Sequence, residues 1–424
     1  MVSMLLLSAL MPLGLSAQSQ NELITAINSQ LIPLKSLSPG GDFNDLQPLK
    51  KFLKDKKVIG LGESAHGVHE FFTFKQRLLE FMVQEMGIKT LLTETDFTGT
   101  QVMNDYVTTG KGDIHEAMTA LGSVVWTTQE FIDMAEWVKK YNGNKPDKDK
   151  VRIYGFDMTT SHNAIPLLTA YLTQTKQLTP ELQQGFSALS KNAATLSDED
   201  KLAINNALVQ LRSVKFTQPD KKEAEFYKHV ARTIVQYADY ILPSGTPYPN
   251  QKNDIRDKYM AENAEWIYNY TGNSKMIISA HNEHLTKVIN STGVSRMGVY
   301  LNEKFKDNYY ILAICFNNGR LRSIDSKNGG SSDFDVPAVT MANNSDALLA
   351  LCNTPNFLLD FKTASVNPAI KAYLNQTITS YFIGSNYASK AGTGQMYIQH
   401  KWSEGYDAIV FIKNVNAASA VKSN

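Results

Sequence analysis

The chain has 424 residues, 43% hydrophobic and 20% charged, which is enough apolar material for a large packed core and excludes a disordered, collagen-like or rod-like chain. Its 42 Lys and Arg against 41 Asp and Glu leave a net charge of +1. With no basic cluster either, there is no electrostatic reason to expect a nucleic-acid partner. Two cysteines are too few for a disulfide scaffold or a cysteine-based zinc site.

Residues 1–17 carry no charge; the first charged residue is Glu22. Their apolar run is broken by Pro12 and Gly14 and ends Leu15-Ser16-Ala17. It is shorter than the roughly twenty residues that span a bilayer. It reads as a cleaved signal peptide with the cut near Ala17, although no Lys or Arg precedes it. The mature protein is therefore expected to be periplasmic or secreted, without stable membrane insertion.

Short apolar runs at 58–62, 90–93, 151–155, 276–280, 310–314 and 408–412 read as buried parallel strands, with helical patterns between most of them. The expected fold is α/β: a mostly parallel sheet flanked by helices. A helix is predicted from about Gly67 to Met86, with Phe71, Phe74, Leu78 and Met82 on one stripe and Gly87 as its stop. Residues 161–272 hold helix signals only, among them Thr179-Pro180 and a Ser197–Asp200 capping box. They form a large, lid-like helical insertion, packed on one sheet edge, before the fourth strand. The core then divides into residues 18–160 and 273–424. A polar loop is expected from Ser326 to Asp335. Cys315, in a strand-like run, reads as a buried free thiol rather than a partner for Cys352.

The chemistry gathers just after the strands. The first ends in Gly62-Glu63-Ser64-Ala65-His66-Gly67, the second in Thr93-Glu94, the third in Gly155-Phe156-Asp157, and the fourth in Ala280-His281-Asn282-Glu283-His284. Open α/β sheets bind ligands outside the carboxyl ends of their strands, so these groups meet at one rim if the strands are neighbours. Singly, Glu63 is explained as a helix-start carboxylate and His66 as a hydrogen-bonded core histidine. Four strand ends agreeing is the stronger signal. Lys75 lies on the apolar stripe of its helix, where an ammonium needs a carboxylate such as Glu63 or Glu94, or else a stem that reaches out to solvent. Arg256, Met260 and Asn263 share a helix face, which suggests substrate or carboxylate contact; a surface ion pair is the plainer alternative.

Gly60-x-Gly62-x-x-Ala65 matches a dinucleotide fingerprint, but Glu63 would sit where the pyrophosphate belongs. Gly62-Glu63-Ser64-Ala65-His66 falls one residue short of a serine-hydrolase elbow and follows the first strand rather than later ones. Water activation fits better. His66 or His281 serves as base, Glu63 and Glu94 orient it, and Lys75 or the other histidine stabilises an oxyanion. No cofactor is needed. Glu63, Glu94, His281 and His284 could also ligate a divalent metal, though their spacing matches no zinc signature. An exported metal- or haem-binding protein without turnover is the alternative of a different class.

The run Gly62-Glu63-Ser64-Ala65-His66-Gly67, followed by Glu70-Phe71-Phe72 and Lys75, resembles the signature of the erythromycin (macrolide) esterase family. Gly87-Ile88 to Glu94, Trp126 to Trp137, Gly155-Phe156-Asp157, Arg256-Asp257 with Met260-Ala261-Glu262-Asn263, and the His281–His284 segment are similar to further family motifs. So are Met297-Gly298 and Tyr406-Asp407-Ala408-Ile409. The resemblance implies a hydrolase that opens a macrolide lactone, or another ester or lactone, without a serine nucleophile. It implies Glu63, His66, Glu94, His281 and His284 as active-site residues, with a histidine as general base. Lys75 stands where the family usually has Arg, and Lys cannot make a planar bidentate contact. Glu283 adds a charge where the family is commonly neutral. Asp157, Arg256 and Asn263 are expected to contact substrate.

Overall fold

Continuous apolar runs are stable as strands only where a sheet is covered on both faces. The computed structural model describes residues 17–122, 124–218, 220–242, 251–289, 293–325, 330–385, 387 and 396–421; the expected signal peptide, Ala17 apart, lies outside them. Among the described residues the strands are β1 (Ile32–Pro33), β2 (Val58–Leu61), β3 (Thr90–Asp96), β4 (Arg152–Asp157), β5 (Met276–Ser279) and β6 (Tyr309–Ile324). They continue with β7 (Ser331–Val336), β8 (Asn356–Asp360), β9 (Ile378–Tyr381), β10 (Tyr397–His400) and β11 (Ala408–Val415). The main sheet runs β1-β8-β11-β6-β2-β5-β3-β4, with β7 paired to β6, and β9 with β10 form a separate pair.

The six apolar runs of the sequence are six adjacent strands, β11-β6-β2-β5-β3-β4, all parallel. Their side chains alternate between two cores. Val58, Leu92, Ile278 and Ile311 face one; Ile59, Leu91, Ile277 and Leu312 face the other. The His69–Met86 helix covers the second core with Phe71, Phe74, Leu78 and Met82. It ends at Gly87, whose φ of +69° is a left-handed stop that favours glycine.

Between β4 and β5 the chain forms the helices Ala164–Gln174, Pro180–Leu189, Asp198–Leu211, Lys221–Ile241 and Gln251–Tyr270. Thr179 caps the second of these, and Ser197 and Asp200 form the reciprocal capping box of the third. Strand β4 is the sheet's edge. The helices lie at that end, and Ile204, Val230, Ile234 and Met260 continue the core of one sheet face instead of closing a core of their own.

Two short elements depart from the expected pattern. Half of the anticipated polar loop is β7, which pairs antiparallel with residues 319–324 of β6; residues 326–329 lie outside the described set. Its Ser and Asp side chains face water from an antiparallel ribbon, so its polarity hides a strand. Strand β8 pairs antiparallel with β11, and its five residues are too few to separate strand from helix by pattern. Cys315 and Cys352 are both buried free thiols.

Candidate active site

The carboxyl ends of β4, β3, β5 and β2, four neighbouring strands, deliver every acid and imidazole singled out in the sequence. After β2 the chain stays extended: the N–H groups of Gly62 and Ser64 donate to the carbonyls of Leu312 and Ile314 on β6. It then reverses at Gly67, where φ is +65° and a β-carbon would stand 1.9 Å from the Arg322 carbonyl oxygen, so only glycine fits. That turn holds Glu63 and His66 beneath the start of the His69–Met86 helix. The segment after β5 is tied to it, because the Asn282 N–H donates to the Glu63 carbonyl at 2.8 Å.

Glu63 is 1% exposed. Its Oε1 lies 2.6 Å from His66 Nδ1, and its Oε2 accepts from Lys75 Nζ at 2.5 Å. Burial alone would raise this carboxyl; Lys75 and His66 outweigh that and hold it down to about 2. An ionised carboxylate can only accept, so His66 carries its hydrogen on Nδ1 and, when neutral, its lone pair on Nε2. Lys75 also donates to Ser279 Oγ at 3.1 Å and sits over the Trp126 ring. Its ammonium is thus spent on Glu63 and β5, and it acts by positioning Glu63.

Glu94 gathers the neighbouring strands. Its Oε1 accepts from Arg256 Nη2 at 2.9 Å and its Oε2 from the His281 N–H at 3.0 Å. Burial is opposed by His284 and Arg256, and its carboxyl is held far below the usual range. Arg256 spans from Glu94 to Asp157, with Nη2 2.7 Å from Asp157 Oδ2. The sequence reading of Arg256 as a carboxylate contact is met by two acids of the rim itself.

His281 Nδ1 accepts from the Glu283 N–H at 3.3 Å, so the neutral ring carries its hydrogen on Nε2. That nitrogen is buried and has no partner among the described residues. Burial, reinforced by the nearby His66, pushes the imidazole down to about 4, which keeps it neutral near physiological pH. The His281 ring centre stands 5.2 Å from that of His66 and 6.5 Å from that of His284. The Phe382 ring packs edge-on to that of His281, with centres 5.7 Å apart.

His284 differs again. Its Nδ1 is 2.6 Å from Asp257 Oδ1 and its Nε2 is 3.4 Å from Glu94 Oε1. Burial would lower it; Asp257 and Glu94 prevail and raise it. Asp257 and Arg296 are rim neighbours to which the sequence reading assigned no role, although Asp257 directly follows Arg256. Asn263 does not reach the rim: it is fully buried and donates to the Phe156 carbonyl at 3.0 Å, fixing the backbone just before Asp157. Ser64 is also fully buried, and its Oγ has no hydrogen-bond partner among the described residues. Among the described residues no group of three or more His, Cys, Asp or Glu is arranged to hold a metal ion. The rim's acids are clasped by its imidazoles and by Lys75, Arg256 and Arg296.

The model of the erythromycin esterase family matches residues 83–415. Erythromycin esterase type II of Escherichia coli is 25% identical over 72% of this chain and 80% of its own length. A putative hydrolase of Bacillus subtilis is 24% identical over 89% of this chain and 88% of its own. Among solved structures, a Bacillus cereus protein superposes with a TM-score of 0.83 at 24% identity, covering 95% of this chain and 99% of its own. A mutant of erythromycin esterase EreC in its open conformation superposes with a TM-score of 0.66 at 16% identity, covering 91% and 98%. The fold is theirs, and with the family model matching most of its length, the chain belongs to the erythromycin esterase family.

Proposed function

We propose that the protein hydrolyses a carboxylic ester or lactone with water activated by His66, a macrolide lactone being the lead substrate. Glu63, kept ionised by Lys75, holds the hydrogen on His66 Nδ1 and leaves Nε2 to take a proton from water. The water oxygen bonds to the acyl carbon, and the developing oxyanion accepts from His281 Nε2–H. The acyl–oxygen bond then breaks and the alkoxide leaves with a proton. Family membership supports hydrolase chemistry.

The observation that carries this reading is the pair of opposed tautomers: a base at His66 and, 5.2 Å away between ring centres, a buried imidazole donor on His281 without an acceptor among the described residues. A buried donor left unpaired costs about 1–3 kcal/mol, and a substrate oxygen would relieve it. A covalent serine route lacks support, because among the described residues Ser64 Oγ has no hydrogen-bond partner that could take its proton.

Incubation of the purified protein with erythromycin and a panel of lactones and esters, followed by mass spectrometry, should show products heavier by one water. No turnover across that panel overturns the proposal. The uncharged 1–17 stretch supports export with processing near Ala17, which amino-terminal sequencing of protein recovered outside the cytoplasm would check.

A further inference from the structure

A ring of hydrogen bonds begins and ends on His281. Its backbone N–H donates to Glu94 Oε2 at 3.0 Å, and Glu94 Oε1 accepts from Arg256 Nη2 at 2.9 Å. Arg256 Nη1 donates to His284 Nε2 at 3.3 Å, so His284 carries its hydrogen on Nδ1, 2.6 Å from Asp257 Oδ1. Asp257 Oδ2 accepts from Arg296 Nη1 at 3.0 Å, and Arg296 Nη2 donates to Glu283 Oε1 at 2.6 Å. The Glu283 N–H closes the ring on His281 Nδ1 at 3.3 Å.

The chemistry depends on that last contact. Which nitrogen of a neutral imidazole carries the hydrogen is set by the bond that the other nitrogen makes. His281 Nε2 has no partner among the described residues, so there the Glu283 N–H at Nδ1 is the contact that selects the tautomer. At 3.3 Å it is longer than the roughly 2.7–3.2 Å usual for an N–H donor, and a small displacement of the 281–284 turn breaks it. Asn282 ties the turn to its neighbours, its N–H donating to the Glu63 carbonyl at 2.8 Å and its Nδ2 to the Ile314 carbonyl at 3.1 Å. The Glu283 side chain is held separately, by Arg296 at the start of the Met297–Phe305 helix. Arg296 is braced in turn by Asp257, which has no exposed surface and also accepts from the Met297 N–H at 2.9 Å.

We propose that Glu283 and Arg296 are positioning residues for the oxyanion donor: their ion pair seats the turn so that the Glu283 N–H meets His281 Nδ1 and the ring hydrogen stays on Nε2. The inference rests on the hydrolase reading above. With the hydrogen on Nδ1 instead, Nε2 presents a lone pair to the developing oxyanion and the site loses a donor. Complete loss of one such donor typically costs about 10²–10³ in kcat, and a partial shift of tautomer costs less.

Nitrogen NMR of isotope-labelled histidine rings at neutral pH reads the tautomer without any turnover. Wild-type His281 should carry its hydrogen on Nε2. In Glu283→Ala a large fraction of rings should move it to Nδ1, and kcat on an ester should fall about five- to tenfold with KM within about twofold. Glu283→Gln keeps an acceptor for Arg296 and should restore most of both. A wild-type ring with its hydrogen on Nδ1 overturns the proposal, even if the variants fail to fold. A Glu283→Ala ring that stays on Nε2, or a shifted ring with kcat unchanged, overturns it too. If the wild-type protein turns over no ester while the ring answers to Glu283 as expected, the hydrolase reading falls and the control of the tautomer stands.

Discussion

Glu63 is the residue on which the rim's charge balance turns. It is nearly inaccessible to water and tolerable as an anion only because Lys75 and His66 each occupy one of its oxygens. Removing one partner of a buried ion pair typically costs about 3–5 kcal/mol, because the other charge is left uncompensated. Lys75→Met should therefore lower the urea midpoint strongly and reduce turnover, while Glu63→Gln combined with Lys75→Met should recover part of the stability; a double variant as unstable as Lys75→Met argues against the pairing. His66→Ala should cut kcat by about 10³-fold or more, and Ser64→Ala should leave it within a few-fold. A loss at Ser64 equal to that at His66 would instead support a covalent serine route.

At the scale of elements, the site depends on how tightly the segment after β2 packs against the segment after β5. Gly62 is the contact point: a β-carbon there would lie 1.8 Å from Asn282 Oδ1 and 3.2 Å from the Leu312 carbonyl. Asn282 is held to the Ile314 carbonyl and sits next to His281. Gly62→Ala should push this segment away and lower kcat by at least about tenfold, since small displacements of catalytic groups are expensive in rate. Circular dichroism should still report the native fold. Activity at the wild-type level in a folded Gly62→Ala protein contradicts this close approach. The Gln251–Tyr270 helix shows the same division of labour. Its Arg256 and Asp257 face the rim, whereas Met260, Ala264 and Ile267 bury against the sheet.

For the molecule as a whole, acid should be the effective denaturant. His229 and His281 are buried and His400 is half-buried; lost hydration pushes them down to about 3, 4 and 3, so all three are neutral in the folded protein. The unfolded chain binds protons at these groups below about 6.5 and the folded chain does not, so stability falls as pH drops. Glu63 adds a second window. Its contribution is fully present above about 4.5 and is lost as pH falls towards about 2, the value at which Lys75 and His66 hold it against burial. Asp346 opposes the trend. Burial raises it to about 8, so its contribution is present at low pH and lost as pH rises through that value. The urea midpoint should fall steeply between pH 4.5 and 3; a midpoint unchanged over that interval contradicts the charge assignment.

The sequence by itself determined the six parallel strands, the helix that follows the first of them, the helices between the third and fourth, and the placement of Glu63, His66 and His281 just beyond strand ends and of Glu94 in the last residues of a strand. These follow from local rules: apolar period, caps and glycine stops are set by neighbours in the chain. Only the tertiary structure decided what each group does. That Lys75 pairs with Glu63, that Arg256 spans Glu94 and Asp157, that Asn263 holds backbone away from the rim, and that Asp257 grips His284 all depend on contacts between residues tens to hundreds apart. The protonation of each histidine is of the same kind. His66, His281 and His284 are one residue type in the sequence, and they part because their partners differ: Glu63 holds His66 Nδ1, the Glu283 N–H donates to His281 Nδ1, and Asp257 and Arg256 take the two nitrogens of His284.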